Sequence, residues 1–190
     1  MEKDVRIEVV GRADVDALVV LAREIWNAHY RAIISSAQIE YMLAQRYDPR
    51  VVREELGRDG IWWDKLMAEG EMAGFASYFL TGSAGEMKLD KVYVHPRHQR
   101  RGYGGQLIAR ACGVARAQGC SRLALAVNKG NRGAIDAYLK HGFRVDAAVV
   151  KDIGGGFVMD DYVMVKNVTD RKSTRLNSSH IQKSRMPSSA

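Results

Sequence analysis

Residues 92–107 constrain the fold most, because they join an apolar strand to a helix through a turn that contains glycines and three arginines. Gly102 and Gly104 allow the backbone to turn sharply and to approach a ligand closely. The helix that follows presents unpaired N–H groups and the positive end of its dipole. Such a helix start binds anions, and a diphosphate suits it well. The stretch therefore predicts a phosphate-binding turn.

Two familiar nucleotide-binding turns do not match this stretch. A Walker loop requires Gly-Lys followed by Ser or Thr, whereas Gly104-Gly105 is followed by Gln106. A dinucleotide-binding turn requires a third glycine and an acidic residue about 20 positions further on. This chain has Leu107 at the first position, and a serine and an arginine in the later region. The turn belongs to another type of phosphate binder.

The pattern Gln99-x-x-Gly102-x-Gly104, between an apolar strand and an amphipathic helix, closely resembles the acyl-CoA loop of the GNAT superfamily of N-acyltransferases. The stretch from Asn131 to Phe143 resembles the second signature of that superfamily, in which Asn-x-x-Ala is followed by Tyr and then Gly-Phe. The two motifs together are specific, whereas one glycine turn is weak evidence. The alternative is an ordinary strand-to-helix turn followed by a buried tyrosine.

The resemblance implies an α/β fold with a mixed, GNAT-like sheet of about seven strands, a splayed parallel pair at its centre, and four to five helices on both faces. The apolar patterns predict strands over residues 5–9, 61–68, 71–80, 86–94, 123–127, 143–150 and 157–166. The predicted helix N-caps are Asp14, Ser36, Asp48 and Asn131, with a loop over 29–35. Ala134, Ile135, Tyr138 and Leu139 are predicted to face inward from the last helix.

The strand over residues 86–94 changes phase along its length. Met87 and Leu89 set an odd-numbered apolar face, whereas Val92 and Val94 set an even-numbered one. A β-bulge produces such a slip of one residue, so we predict a bulge near residues 90–92. The resemblance implies that the strand diverges there from its parallel neighbour, and that the pantetheine arm of the cosubstrate acetyl-CoA lies in the gap.

The resemblance also implies which residues hold acetyl-CoA. Backbone N–H groups of residues 101–105 hold the diphosphate, and the main chain of Val92 and Val94 pairs with the pantetheine arm like an added strand. Asn128 and Asn131 bind the pantetheine amides or, alternatively, are strand-end and helix-cap residues. The predicted cofactor-binding residues are Val92, Tyr93, Val94, Gln99, Arg100, Arg101, Gly102, Tyr103, Gly104, Gly105, Asn128, Asn131 and Tyr138.

N-acyl transfer requires a neutral amine, a stabilised oxyanion and a protonated leaving thiolate. The resemblance implies Tyr138 as the general acid, and its alternative role is core packing, since it shares a helical face with Ile135. The backbone N–H of Val92 is the predicted oxyanion donor. The sequence leaves the general base open between a chain of water molecules and the carboxylates of Glu86, Asp90, Asp160 and Asp161, with Asp90 chosen as a weak candidate.

The net charge of +7 does not indicate a nucleic-acid partner, because the positive excess lies at one end of the 190-residue chain. Without the five basic residues of 171–190, the net charge is +2, from 24 basic and 22 acidic residues. We predict one acetyltransferase domain over residues 1–168. Residues 169–190 are predicted to be a disordered basic tail, and they resemble translated vector sequence.

These patterns predict an N-acetyltransferase that moves an acetyl group from acetyl-CoA to a primary amine of a small molecule or peptide, by direct attack in a ternary complex. An acyl-CoA-binding regulatory module without turnover is the alternative.

We predict no metal, because His95 and His98 lack a carboxylate ligand in their motif. We predict a cytoplasmic protein without a membrane partner, with Cys112 and Cys120 reduced, and a homodimer is compatible with the resemblance. Trp26, Tyr30, Trp62 and Trp63 line an acceptor pocket or belong to the core.

Overall fold

Seven β-strands form one mixed sheet in the computed structural model, which describes residues 4–169. They are β1 (Val5–Val9), β2 (Ile61–Ala68), β3 (Glu71–Leu80), β4 (Glu86–Val94), β5 (Arg122–Asn128), β6 (Arg144–Gly154) and β7 (Phe157–Asn167). Their order in the sheet is β1-β2-β3-β4-β5-β7-β6, and the central pair β4–β5 is parallel whereas the other pairs are antiparallel. The predicted mixed sheet with a central parallel pair is confirmed.

Five α-helices of the described residues cover the two faces of this sheet. They are α1 (Val15–His29), α2 (Ser36–Arg46), α3 (Pro49–Leu56), α4 (Tyr103–Ala117) and α5 (Arg132–Lys140). On the α1–α3 face, a core built around Trp26, Trp63 and Phe75 is buried. On the α4–α5 face, a second core contains Leu107 and Leu123. Both sets of apolar side chains pack against the same central strands, which fixes the sheet between two helical layers.

The start of α1 differs from the prediction. The side chain of Asp14 makes no capping bond to α1. A short 3₁₀ turn precedes the helix, and the Asp14 carboxylate accepts from the Gly11 N–H at 2.8 Å. Its other oxygen lies 2.8 Å from Lys65 Nζ. The carboxylate therefore ties the turn before α1 to strand β2.

The region between α1 and α2 is more helical than predicted. A 3₁₀ turn continues from α1 to Ala32, because Tyr30 is buried with its ring centroid 4.4 Å from that of Trp26. The cap of α2 is Ser35 and not Ser36, since the Ser35 hydroxyl accepts from the Gln38 N–H at 3.1 Å. The predicted loop over 29–35 is therefore short.

Two burial predictions also differ from the structure. Leu139, predicted to face inward, is 49% exposed, and α5 has no fully buried residue. The continuous apolar run at residues 123–127 predicts a strand buried on both faces, but Ala126 of β5 is exposed within a cavity described below. The predicted cap of α5 is confirmed, since Asn131 Oδ1 accepts from the Ala134 N–H at 3.3 Å.

The predicted bulge and divergence of β4 are confirmed. Asp90 is the extra residue of the bulge, because the register between β3 and β4 shifts there. Parallel pairing of β4 with β5 covers only Glu86–Lys88 against Arg122–Ala124. Beyond this point β4 stays with β3 as far as Val94, whereas β5 stays with β7 as far as Asn128. The two strands therefore leave a gap that connects the faces of the sheet.

Three further predictions concern the cysteines, the C-terminal tail and membrane-spanning helices. Both cysteines are buried and free. The predicted tail lies outside the described residues, apart from Thr169. None of the helices within residues 4–169 is long and apolar enough to cross a membrane.

Candidate active site

The turn before α4 presents main-chain N–H groups to an open space. Arg100 and Gly102 both have a left-handed backbone, with φ values of 61° and 80°. Gly102 is the N-cap of α4, so no side chain covers the first N–H groups of the helix. A Cβ atom at Gly104 would meet nothing within 4 Å. The geometry fits an anionic group at the start of α4.

Gly105 has a different role from Gly104. A Cβ atom at Gly105 would lie 2.7 Å from a ring carbon of His141, at the end of α5. The missing side chain lets the two helices come together beside β4. A small cavity of about 150 Å³ lies between them, and its lining includes Val92, Val94 and Tyr138. This cavity extends the open space at the start of α4 towards the gap in the sheet.

Several side chains predicted to bind the cofactor have other partners in the structure. The Tyr103 side chain is buried in the core of the α4–α5 face, which leaves its backbone available. Arg101 forms an ion pair with Glu69 at 3.0 Å. The Gln99 amide donates to the Val94 carbonyl at 3.2 Å and thereby holds the end of β4. The contacts of these three side chains support a role in shaping the turn. They do not support direct contact between the side chains and the cofactor.

A cavity of about 900 Å³ spans the gap and opens on the α1–α3 face. Val92, Val94, Asn128 and Tyr138 line its inner end, towards α4 and α5. Helices α1 and α2 and the β6–β7 strands form the opposite walls. Its lining residues on that side include Trp26, Tyr30, Met42, Tyr93, Met159 and Asp161. The site therefore has two compartments that meet between the diverging strands.

The aromatic predictions divide between this cavity and the core. Trp26 and Tyr30 line the cavity, whereas Trp62 and Trp63 do not. The Tyr30 hydroxyl lies 3.0 Å from the hydroxyl of Tyr93, and burial raises the pKa of both phenols. The side chain of Tyr93 thus packs on the α1–α3 face, although the residue was predicted to contact the cofactor.

Asp90, the weak candidate for the general base, is enclosed by cations. Its Oδ1 lies 3.0 Å from Arg46 Nη2, and its Oδ2 forms an ion pair with Lys91. Burial alone would raise the pKa of Asp90, but the charges of Arg46 and Lys91 hold it well below its usual range. A carboxylate with such a low pKa is a poor proton acceptor near neutral pH. The Asp90 carboxylate links Arg46 of α2 to the bulge.

Asp161 is the better placed of the carboxylates considered from the sequence. Glu86 forms an ion pair with Arg122 at 2.9 Å, and Asp160 forms one with Lys129 at 2.8 Å. Asp161 lines the large cavity, and its buried Oδ1 has no hydrogen-bond partner among residues 4–169. Burial raises the pKa of Asp161, and the charge of Arg46 opposes this only in part. A raised pKa suits a general base.

Tyr138 occupies the junction of the two cavities, since it lines both. Its ring packs edge-on against Phe143 with centroids 5.6 Å apart. Its hydroxyl has no hydrogen-bond partner within the described part of the chain. Burial raises the pKa of Tyr138, so the phenol keeps its proton at neutral pH. The Tyr138 side chain is partly buried, and its hydroxyl is available to a ligand.

The two asparagines have local partners, which favours the structural alternative for both. The Asn128 side-chain oxygen accepts from the Gly130 N–H at 2.8 Å. Asn131 is buried, caps α5, and has its Oδ1 3.0 Å from His29 Nε2. Asn131 therefore links the end of α1 to the start of α5, and so positions the helix that carries Tyr138.

The histidines near the turn have carboxylate neighbours. His95 Nε2 lies 3.3 Å from Glu24, and His98 Nε2 lies 2.7 Å from Glu71. Over residues 4–169, no group of three or more His, Cys, Asp or Glu is placed to hold a metal ion.

Sequence reasoning missed three residues that shape the site. Arg46 was not singled out, because a basic residue in the last turn of a helix is common. His29 was placed in a loop. Gly74 of β3 allows a close approach, since a Cβ atom there would lie 2.6 Å from the Tyr93 carbonyl oxygen. An isolated glycine within a strand pattern is the signal that could have identified the last of these.

A comparison with protein families decides which family this chain belongs to, because the model of the acetyltransferase (GNAT) family matches residues 21–143. The chain belongs to the acetyltransferase (GNAT) family. This GNAT chain is an acetyl-CoA-dependent N-acetyltransferase, with acetyl-CoA as its cosubstrate. The N–H groups of residues 103–105 at the start of α4, called the cradle below, lie within the matched region, as do the bulge and the diverging strands.

Relatives of this GNAT chain differ in their acceptors. It is 24% identical over 160 residues to a spermidine N(1)-acetyltransferase from Thermoplasma acidophilum, which covers 82% of this chain and 96% of that protein. It is 28% identical over 110 residues to a thialysine N-epsilon-acetyltransferase from Sus scrofa, covering 47% of this chain and 65% of that protein. The crystal structure of the PaiA N-acetyltransferase from Thermoplasma acidophilum with coenzyme A has a TM-score of 0.75 at 24% identity, covering 86% of this chain and 99% of that one. The structural likeness shows the fold.

Proposed function

We propose that this N-acetyltransferase transfers the acetyl group to a primary amine of a small molecule or peptide, by direct attack within a ternary complex. The gap between β4 and β5 carries the proposal, because it joins the N–H cradle on one face to the large cavity on the other. Two substrates that enter from opposite faces then meet beside Tyr138. Holding them together replaces a bimolecular encounter by a positioned reaction.

The chain holds the cosubstrate chiefly through its backbone. The first N–H groups of α4, at residues 103–105, bind the diphosphate. Beyond the bulge, the main chain of Val92 and Val94 has no β5 partner, and it pairs with the pantetheine arm. Gly104 leaves the space that the diphosphate needs.

Three groups then carry the transfer. The Asp161 carboxylate takes a proton from the acceptor ammonium, and the neutral amine nitrogen forms a bond with the thioester carbon. The Val92 N–H stabilises the oxyanion of the tetrahedral intermediate; losing one such donor typically costs about 3–4 kcal/mol. As the C–S bond breaks, the Tyr138 hydroxyl gives its proton to the leaving sulfur. The attacking nitrogen loses its second proton to water as the amide forms, and Tyr138 regains a proton from solvent.

The acceptor compartment is the outer part of the cavity that spans the gap. The whole cavity, at about 900 Å³, lies within the range of about 300–1,000 Å³ that small-molecule sites occupy. The relatives named for spermidine and for thialysine also act on small amines. These observations support a small acceptor with a primary amine.

Release of the free coenzyme A thiol, measured with a panel of amines, tests the proposal. We expect turnover with at least one small amine. In Tyr138→Phe we expect kcat to fall by about a hundredfold or more, since general acids contribute on that scale. Tyr162→Phe is the matched control, because it removes a hydroxyl outside both cavities. An unchanged kcat in Tyr138→Phe removes Tyr138 from the mechanism. Acetyl-CoA binding without turnover of any amine would indicate a binding module instead.

A further inference from the structure

The guanidinium group of Arg46 lies at the large cavity and has N–H donors available there. Its Nη2 donates to the Asp90 carboxylate at 3.0 Å and lies 3.3 Å from the Asp90 carbonyl oxygen. The hydrogen bonds that Arg46 makes within residues 4–169 use Nη2, and its side chain, which lines the cavity, remains 29% exposed. A guanidinium can bind a carboxylate through two parallel N–H donors. Arg46 therefore has donors left for a ligand.

The charges around this compartment do not favour a polycation. On the α1–α3 face, Arg46, Lys88 and Lys151 line the cavity together with Asp90, Asp152 and Asp161. Asp90 is already shared between Arg46 and the buried Lys91.

Asp161 is the carboxylate of this set that has a buried oxygen left for a ligand. The Asp152 side chain accepts from the Gly154 N–H at 2.8 Å, whereas Oδ1 of Asp161 has no hydrogen-bond partner among residues 4–169. Because Arg46, Lys88 and Lys151 also line the cavity, it offers a polyamine no excess of negative charge. A molecule with one amine and one carboxylate matches Asp161 and Arg46 together.

We propose that the acceptor is an amino-acid-type molecule, whose primary amine lies at Asp161 and whose carboxylate is bound by Arg46. The inference rests on the proposed function, since it concerns the acceptor of the same reaction. Arg46 contacts Asp90, the bulge residue two positions before Val92, which is the proposed oxyanion donor. The carboxylate is therefore bound beside the same stretch of β4 as the reacting carbon.

Pairs of amines that differ only in the carboxylate test this inference. Lysine is compared with cadaverine, and ornithine with putrescine, by measuring kcat/KM for thiol release. We expect the carboxylate-bearing member of each pair to be favoured about ten- to a hundredfold, because hydrogen bonds to a charged group contribute on that scale.

Variants of Arg46 test whether this residue binds the carboxylate of the acceptor. Arg46→Gln should reduce the preference to near unity, whereas Arg46→Lys, which keeps the charge but loses the planar fork, should retain part of it. Arg23→Gln is the matched control, because Arg23 is an exposed arginine paired with Glu40 outside the site. A preference that persists in Arg46→Gln overturns the assignment, and so does its loss in Arg23→Gln.

A binding measurement separates failure of this inference from failure of the proposed function. Calorimetry of the coenzyme A-saturated protein should show lysine binding about tenfold or more tightly than cadaverine, with the difference reduced in Arg46→Lys. This readout requires no turnover. If amines are acetylated but spermidine or cadaverine is preferred, the inference is wrong and the proposed function stands. If no amine is acetylated, the proposed function fails, and equal binding of lysine and cadaverine overturns the inference as well.

Discussion

The two compartments of this site are built in different ways. The cradle at the start of α4 consists of main-chain groups within a few residues of one glycine-containing turn. The cavity on the α1–α3 face consists of side chains from distant parts of the chain: Arg46 and Asp90 are 44 residues apart, and His29 and Asn131 are 102 apart. A backbone site is fixed by local conformation, whereas a side-chain site depends on the packing of several elements.

The largest effect is expected from a change confined to the cradle. Gly104→Glu should fold, because Gly104 faces open space and a carboxylate in the first helical turn is favourable. The new side chain fills the diphosphate position and repels it, so coenzyme A should bind about a thousandfold less tightly by calorimetry.

Gly113→Glu provides the control for this variant. Gly113 also has an open environment on α4, and it lies outside both cavities. The affinity of the Gly113→Glu variant for coenzyme A should match that of the wild type. Retained affinity in Gly104→Glu would contradict the assignment of the cradle.

The next effect concerns proton transfer on the acceptor side. Asp161→Asn should lower kcat/KM about a hundredfold at neutral pH, since it removes the proposed base. A base acts only when deprotonated, so wild-type activity should fall as the pH drops through the pKa of Asp161. Because burial raises that pKa, the fall should begin at a higher pH than for an ordinary aspartate.

The pH profile of kcat/KM is the measurement for this prediction. Asp160→Asn is the matched control, because Asp160 is an exposed carboxylate paired with Lys129. An acidic limb that stays in Asp161→Asn, or an equal loss in Asp160→Asn, would refute the role of Asp161.

A smaller effect on folding is expected where the compartments meet. Asp90→Asn should reduce the free energy of unfolding by about 2–3 kcal/mol at pH 7, because Arg46 and Lys91 lose their shared anion. The pKa of Asp90 is lowered in the folded state, so its stabilisation is present above the unfolded pKa of about 4 and is lost as the pH falls below it. Urea titrations between neutral and acidic pH should therefore show a shallower pH dependence in Asp90→Asn. A parallel dependence in both proteins would exclude this role.

The smallest effect is expected at the link between α1 and α5. Asn131→Ala removes the cap of α5 and the contact with His29, and should cost about 1 kcal/mol of stability in urea titrations. Asn131→Asp keeps a capping oxygen and should cost less. If Asn131→Ala weakens coenzyme A binding instead, with stability unchanged, Asn131 is a cofactor ligand as the sequence first indicated.

The sequence predicted much of the fold because each signal was local. The phase slip in residues 86–94 placed the bulge, and the glycine spacing placed the turn before α4. The cap of α2 was misplaced by one residue, since Ser35 and Ser36 are both good caps and only the backbone conformation decides between them.

The acceptor side was less accessible to sequence reasoning. Arg46 has the pattern of an ordinary residue at a helix end, and only the packing of α2 beside the bulge brings it to Asp90. The four candidate bases could not be ranked, because their ion pairs join residues that are far apart in the chain. Asp161 differs from Asp160 by its burial, which the strand pattern alone does not give.

A crystal structure with coenzyme A and lysine bound together tests the central claim most directly. We expect the diphosphate against the N–H groups of residues 103–105, the pantetheine arm between β4 and β5, and the amine on the α1–α3 face near Asp161. A coenzyme bound away from that turn, or strands β4 and β5 paired along their whole length, would contradict the account.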